Sequence, residues 1–296
     1  MSTFLQVVVN GLLVGGLYGL FSSGLTLIFG ITRVINFAHG DFVTLGMFGA
    51  VVLFTGLHLN PLVAILPIAV ASFIVGALMY QALVRRTLTI PGISAMDAQH
   101  GQMALTLGFS ILVTSGLLVA FGPSPRSING VLNDTYKVDS VYLSQARLIA
   151  FGISLIAFVL LYLGLTRTLY GKAIRGTVDD NDMASMVGIN TNRVYMMSFS
   201  IGIMLTGIAG DVLATYYPTT PLVGQGFLII AFVTVVMGGL GNVVGALYAG
   251  LLVGVIQQAT ATYVAIDLQN AGIFVAFVLV LLFRPQGLLG GRRVTA

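Results

Sequence analysis

Long apolar stretches without a charged side chain alternate with short polar segments along this sequence. A helix needs roughly 20 apolar residues to cross a hydrocarbon core about 30 Å thick. The charge-free run at 212–266 is more than twice that length, so it must turn back, and the glycine-rich segment 238–242 is the predicted break. The pattern predicts an all-α transmembrane helical bundle of about eight to ten spans. These spans lie near 4–29, 40–57, 61–83, 102–121, 147–166, 195–215, 226–238, 243–262 and 270–284, within a single domain over 1–296.

Composition supports an integral membrane protein. The 296 residues are 57% hydrophobic and only 7% charged, whereas a soluble domain carries about a quarter charged residues. This difference excludes a soluble globular domain, a disordered tail and a nucleic-acid-binding protein. The chain has no Cys, and it has no catalytic Ser/His/Asp grouping, metal-ligand motif or Walker A sequence. The sequence therefore predicts a non-catalytic protein that binds no metal and no cofactor of its own.

Basic residues are distributed unequally between the predicted loops. If the polar loop at 167–194 faces the cytoplasm, ten basic residues lie on its side and three lie opposite, as the positive-inside rule requires. This arrangement places the loop at 122–146 outside and the C-terminus in the cytoplasm. The predicted cytoplasmic group is Arg33, Arg85, Arg86, Arg167, Lys172, Arg175, Arg193, Arg284, Arg292 and Arg293, and the outer group is Arg126, Lys137 and Arg147.

A polar segment at 33–42 separates the first two apolar runs and contains Asn36, His39 and Asp41. A charge at mid-bilayer costs about 2.5–3.5 kcal/mol on insertion scales. The segment is therefore either a turn that lines or gates a pathway, or an interfacial hairpin in which Asp41 caps the next helix. Spacing alone favours the hairpin. Another carboxylate, Asp211, falls near the outer end of its span and is expected at the membrane interface.

The loop at 167–194 is the most polar part of the chain and predicts a short amphipathic helix. Asp179–Asp182 can occupy its first turn, where the helix dipole favours negative charge. The apolar side chains of Met183, Met186 and Val187 then form a stripe at i, i+3 and i+4, and Gly188 is placed to end the helix. Such a helix either docks in a groove of a partner protein or lies on lipid headgroups.

Four glycines fall within the eight residues 238–245. This spacing is typical of a re-entrant or broken helix that meets a ligand near the membrane midplane, and equally of a tight cytoplasmic turn with close helix packing. The turn is slightly favoured. On the first interpretation Gly239, Gly241 and Asn242 join Asn36, His39 and Asp41 as candidate pathway or gate residues.

The 171–190 loop resembles the coupling loop of ABC importer permeases. The matching positions are Gly171, Arg175-Gly176, Asp179–Asp182, Ala184 and Gly188-Ile189, with Gly176 standing where the family usually has Ala. The segments 10–25, 36–41, 238–245 and 284–288 are similar to the branched-chain amino-acid (hydrophobic amino-acid uptake) permeases. The likeness therefore spans nearly the whole chain.

The resemblance implies half of a transporter in the bacterial cytoplasmic (inner) membrane. Its expected partners are a second homologous permease, two cytoplasmic ATPase subunits that bind ATP and Mg²⁺, and a periplasmic or lipid-anchored substrate-binding protein. The expected substrates are branched-chain or related amino acids, with urea or short amides as an alternative. An ion-coupled secondary transporter or a channel is less well supported, because the acidic residues lie near span ends. The implied coupling residues are Gly171, Arg175, Asp179, Asp182, Ala184, Gly188 and Ile189.

Overall fold

A computed structural model of the chain describes residues 2–88, 94–128, 130–132, 134–138 and 141–290. Arg292 and Arg293, which the charge analysis assigned to the cytoplasm, lie outside these residues. The elements in chain order are α1 (Ser2–Thr32), α2 (His39–Leu57), α3 (Pro61–Met79) with a π-helical turn (Tyr80–Val84), α4 (Arg85–Leu88), α5 (Ala95–Phe121), β1 (Thr135–Val138), β2 (Val141–Ser144), α6 (Gln145–Arg167), α7 (Leu169–Asp179), α8 (Asn181–Met186), α9 (Thr191–Leu213), α10 (Val223–Gly238), α11 (Val243–Tyr263), a 3₁₀ turn (Ile266–Leu268) and α12 (Gln269–Phe283).

The all-α membrane-spanning architecture predicted from the sequence is confirmed. Within the described ranges, eight helices are long and apolar enough to cross a membrane. The α10 helix has 16 residues, fewer than the roughly 20 that a full crossing needs. The apolar run at 212–266 turns back between α10 and α11, where Gly239 and Gly241 have positive φ angles of 103° and 83°.

Close packing of small residues holds the centre of the bundle together. The α1 and α11 helices run antiparallel, with Gly11 beside Val255 and Gly15 beside Gly250. A Cβ atom on Gly15 would lie 2.7 Å from the Gly250 carbonyl oxygen, so a larger side chain would push the two backbones apart. Small residues permit this approach where no hydrophobic effect drives helices together. Glycines of both helices therefore form the α1–α11 seam.

The two ends of the bundle carry different structures. At one end the β1–β2 hairpin contacts the start of α1, where the Gln6 side chain exchanges two 2.7 Å hydrogen bonds with the backbone of Tyr142. We call this the hairpin end. The opposite end, the coupling end, carries α7, α8 and the α10–α11 turn. The sequence predicted only turns within 122–146, so the antiparallel hairpin in this loop is a correction.

Candidate functional site

The α2 helix begins deep inside the bundle. The His39 side chain is fully buried, and its Nε2 atom lies 2.9 Å from the Phe21 carbonyl oxygen and 3.0 Å from the Thr206 hydroxyl. Phe21 lies 11 residues before Thr32, where α1 ends. The contact with His39 is therefore about 16 Å from the end of α1, measured along the helix axis. The expectation of an interfacial hairpin is therefore wrong. The non-helical backbone at this depth is instead buried in protein, where such backbone is tolerated.

Side chains satisfy backbone amides in the non-helical segment that leads into α2. The Asn36 Oδ1 atom accepts a 3.1 Å hydrogen bond from the Ala38 amide, and the Thr106 hydroxyl accepts one from Phe37. Asp41 is not the cap of α2, because that position belongs to Ala38. Its buried carboxylate instead accepts a 3.0 Å hydrogen bond from Thr114 of α5.

The first turn of α10 packs against the first turn of α2. Gly224 packs directly on Gly40, and a Cβ atom on Gly40 would lie 2.8 Å from the Leu228 Cβ atom. Two helices thus begin next to each other inside the bundle, and we call this contact the helix-start junction. Asp211 also lies in the interior: it is fully buried, and neither carboxylate oxygen has a hydrogen-bond partner in the part of the chain that the structure describes. Asp211 lies two residues before the end of α9, near the span end as the sequence predicted, and its side chain is enclosed by protein.

The predicted amphipathic helix is present as α8, preceded by a second helix, α7, that the sequence analysis missed. Asp180 caps α8, and its Oδ1 atom accepts hydrogen bonds of 3.0 and 2.9 Å from the amides of Asp182 and Met183. Asp179 ends α7 rather than starting α8. Gly188, with a φ of 87°, ends α8 as predicted.

The α8 helix presents an apolar stripe to its surroundings. The side chains of Met183, Met186 and Val187 are 63%, 80% and 77% exposed. On the other side of the helix, Ala184 is buried and Ile189 packs against the core. The predicted stripe therefore exists, and it faces away from the bundle.

Several contacts attach α7 firmly to the bundle. A Cβ atom on Gly171 would collide with the Leu165 carbonyl, so only glycine permits this tight turn after α6. The Arg175 guanidinium donates a hydrogen bond to the same carbonyl oxygen. The Tyr170 hydroxyl donates to the Val194 carbonyl at 3.0 Å, and burial raises the pKa of this hydroxyl above its ordinary value, which keeps it protonated. The α7 helix is thus linked to both α6 and α9.

A cavity of about 700 Å³ at the coupling end brings separate sequence motifs together. Arg175 and Asp179 of α7 line it opposite Gly241 and Asn242 of the α10–α11 turn, and Arg33 follows α1 beside them. Two of the seven candidate coupling residues and two candidate gate residues therefore share one space. Asn36, His39 and Asp41 do not line it, because they lie deeper at the start of α2.

The α10–α11 turn is a compact structural unit. The Asn242 Oδ1 atom accepts a 2.9 Å hydrogen bond from the Gly245 amide and so caps α11. The Asn242 Nδ2 atom donates to the Leu289 carbonyl at 2.8 Å. Gly239 contacts Gly290 in the same segment. The chain after α12 thus folds back on the tight turn that the sequence favoured, while a gating role of these residues stays a prediction.

A smaller cavity of about 190 Å³ opens at the hairpin end. Its polar lining includes Tyr18, Arg147, Tyr216, Gln257 and Asn270, contributed by five separate segments. The sequence analysis missed this group, although two adjacent glutamines within the apolar run of α11 were an available signal. No cluster of three metal-ligating side chains occurs within the described ranges.

Comparison with known proteins decides the family. A profile described as "Branched-chain amino acid transport system / permease component" matches residues 7–283. The chain belongs to this family. It is 30% identical to the high-affinity branched-chain amino acid transport system permease protein BraD of Pseudomonas aeruginosa, over 97% of this chain and 96% of the relative. It is 27% identical to LivH of Escherichia coli, over 97% and 96%. No solved structure gives a significant match.

Proposed function

We propose that this chain is the permease subunit of an ABC importer that carries branched-chain amino acids into the cell. The observation that carries the proposal is the exposed apolar stripe of Met183, Met186 and Val187, which faces away from the bundle. It occurs in a member of a branched-chain amino-acid permease family. Isolated large apolar side chains on a surface are ordinary, but a continuous apolar stripe on one short helix is typical of a docking face. The stripe fits a groove on a cytoplasmic ATPase subunit.

The proposed coupling depends on how α7 and α8 are attached. Arg175 ties α7 to α6, and Tyr170 ties it to α9. A movement imposed on α8 by closure of the ATPase subunits would pass through α7 into the helices around the coupling-end cavity. Two ATPase subunits, holding ATP and Mg²⁺, would supply the energy. The residues proposed to act in coupling are Gly171, Arg175, Asp179, Asp182, Ala184, Gly188 and Ile189.

The proposed transport path runs between the coupling-end and hairpin-end cavities. On this account the helix-start junction lies between them, and a shift of α2 against α10 opens one side and closes the other. A second, homologous permease completes the path, and a periplasmic or lipid-anchored binding protein delivers substrate at the hairpin end. On this account the single domain lies in the bacterial cytoplasmic membrane with its C-terminus in the cytoplasm. The residues proposed for the path or its gates are Asn36, His39, Asp41, Gly239, Gly241 and Asn242.

Native purification tests this assignment. The tagged chain, extracted from its own membrane in mild detergent, is expected to retain an ATPase subunit with a Walker A sequence and a second permease, both identified by mass spectrometry. Recovery of copies of this chain alone would contradict the proposal. In that case α8 would be a connector that lies on lipid headgroups.

A further inference from the structure

Within the described part of the chain, the hairpin-end cavity is lined by a tyrosine whose hydroxyl has no hydrogen-bond partner. Arg147 is the one charged residue among the described residues that line it, and its guanidinium lies 5.9 Å from the centre of the Tyr216 ring. The Tyr216 hydroxyl oxygen is buried and has no hydrogen-bond partner in the described parts of the chain. Burial raises the pKa of this hydroxyl although Arg147 opposes the shift, so it remains an O–H donor at neutral pH. A buried donor without an acceptor is costly, and the guanidinium over the same ring suits a carboxylate.

Other side chains that line the cavity offer acceptors for a cation. The Tyr18 hydroxyl donates to Gln257 Oε1 at 2.6 Å, and Gln257 Nε2 donates to Asn270 Oδ1 at 3.3 Å. This chain of hydrogen bonds orients the amide oxygens, each of which can accept more than one hydrogen bond. Two further amide side chains, Gln258 and Gln269, line the same space. An ammonium group can therefore be bound without an acidic residue.

Apolar and aromatic side chains complete the cavity. Phe227 lines it, with its ring centre 6.3 Å from that of Tyr18 and 5.6 Å from that of Tyr217. Leu213 and Ile230 line the cavity beside it. The volume of about 190 Å³ is below the roughly 300–1,000 Å³ of pockets for drug-sized ligands. The space therefore suits a small ligand with a short apolar side chain.

We propose that the hairpin-end cavity is a binding site for a zwitterionic α-amino acid with an apolar side chain. Arg147 and Tyr216 bind the carboxylate, the amide oxygens near Gln257 bind the ammonium group, and Phe227 contacts the side chain. This inference rests on the proposed function and adds the site through which the substrate enters the membrane. The Phe21 ring lies 6.0 Å from Phe227, and its carbonyl contacts His39, so the occupied cavity would adjoin the helix-start junction.

Direct binding to the nucleotide-free complex in nanodiscs, measured with radiolabelled leucine and without binding protein, tests this site. Replacing Arg147 by Gln removes a charged hydrogen-bond donor and is expected to weaken leucine binding about 10- to 100-fold. The matched control is Arg126→Gln, at a hairpin-end arginine that stacks on Phe121 at 5.0 Å but does not line the cavity. The control is expected to bind leucine like the unmodified complex. Retained ATP hydrolysis by both variants shows that the complexes are folded.

Competition with two leucine analogues separates the carboxylate from the ammonium group. We expect 3-methylbutylamine, which lacks the carboxylate, and 4-methylpentanoate, which lacks the ammonium group, both to displace leucine poorly. Unchanged leucine binding by Arg147→Gln, equal competition by 3-methylbutylamine, or no leucine binding to a complex that transports leucine would each overturn the site. Failure of the unmodified complex to transport leucine would instead overturn the proposed function.

Discussion

Replacement of Met186 by Ser tests whether α8 docks on an ATPase subunit. The Met186 side chain is 80% exposed, and burying a whole methionine side chain contributes about 1.5–3 kcal/mol. If docking buries the exposed four-fifths, the substitution removes about 1.2–2.4 kcal/mol of binding free energy. This loss corresponds to roughly 8- to 60-fold weaker binding. The free energy of unfolding should change by less than about 0.5 kcal/mol, because the side chain is at the surface.

The assay is the dissociation constant of purified ATPase subunits on immobilised permease, measured by biolayer interferometry in detergent. The matched control is Leu57→Ser, which removes an apolar side chain that is 66% exposed near the C-terminal end of α2, far from α8. We expect this control to bind the ATPase subunits normally. Equal binding by Met186→Ser and the unmodified permease would refute the docking role of the stripe.

Three further substitutions test packing and turn geometry. Gly224→Ala, at the helix-start junction, should lower the free energy of unfolding by about 1–3 kcal/mol through overpacking. The control Gly226→Ala has open space around its Cβ position and should not lower it. Equal thermal stability of the two variants would contradict the close packing at the junction. Asn242→Ala should lower the free energy of unfolding by about 0.5–2 kcal/mol, whereas Asn242→Asp should keep the cap of α11 but lose the hydrogen bond to Leu289. Limited proteolysis after α12 should therefore be faster in both variants than in the unmodified protein. Slow cleavage in both would argue against the contact with Leu289. Gly188→Val should reduce uptake, because a β-branched residue disfavours positive φ. Gly188→Asn should transport normally, because asparagine tolerates positive φ. Faster transport by Gly188→Val than by Gly188→Asn would exclude backbone geometry as the cause.

Features determined by neighbouring residues were predictable from the sequence. The acidic first turn, the apolar stripe and the terminating glycine of α8 fall within the segment from Asp180 to Gly188, and each acts on its own turn of helix. The spans were predictable for the same reason, since a continuous apolar run and its length decide a membrane helix. The break between α10 and α11 followed from length and glycine content together.

Features that depend on distant residues were not predictable. The depth at which α2 begins is set by the contact of His39 with Thr206, which lies 167 positions later, and no local pattern encodes that contact. The burial of Asp211 is likewise decided by packing around α9. The hairpin-end cavity draws Tyr18, Arg147 and Asn270 from widely separated helices. Each of these residues, considered within its own segment, is typical of an ordinary span end.

ATP-driven uptake by the reconstituted complex tests the central claim most directly. Proteoliposomes that contain this chain, its partner permease and the ATPase subunits would receive radiolabelled leucine with its binding protein on the hairpin side. We predict accumulation against a gradient that requires ATP and Mg²⁺ on the coupling side and persists when ion gradients are dissipated. Accumulation that needs an ion gradient but no ATP, or leucine flux that only follows its own gradient, would contradict the account.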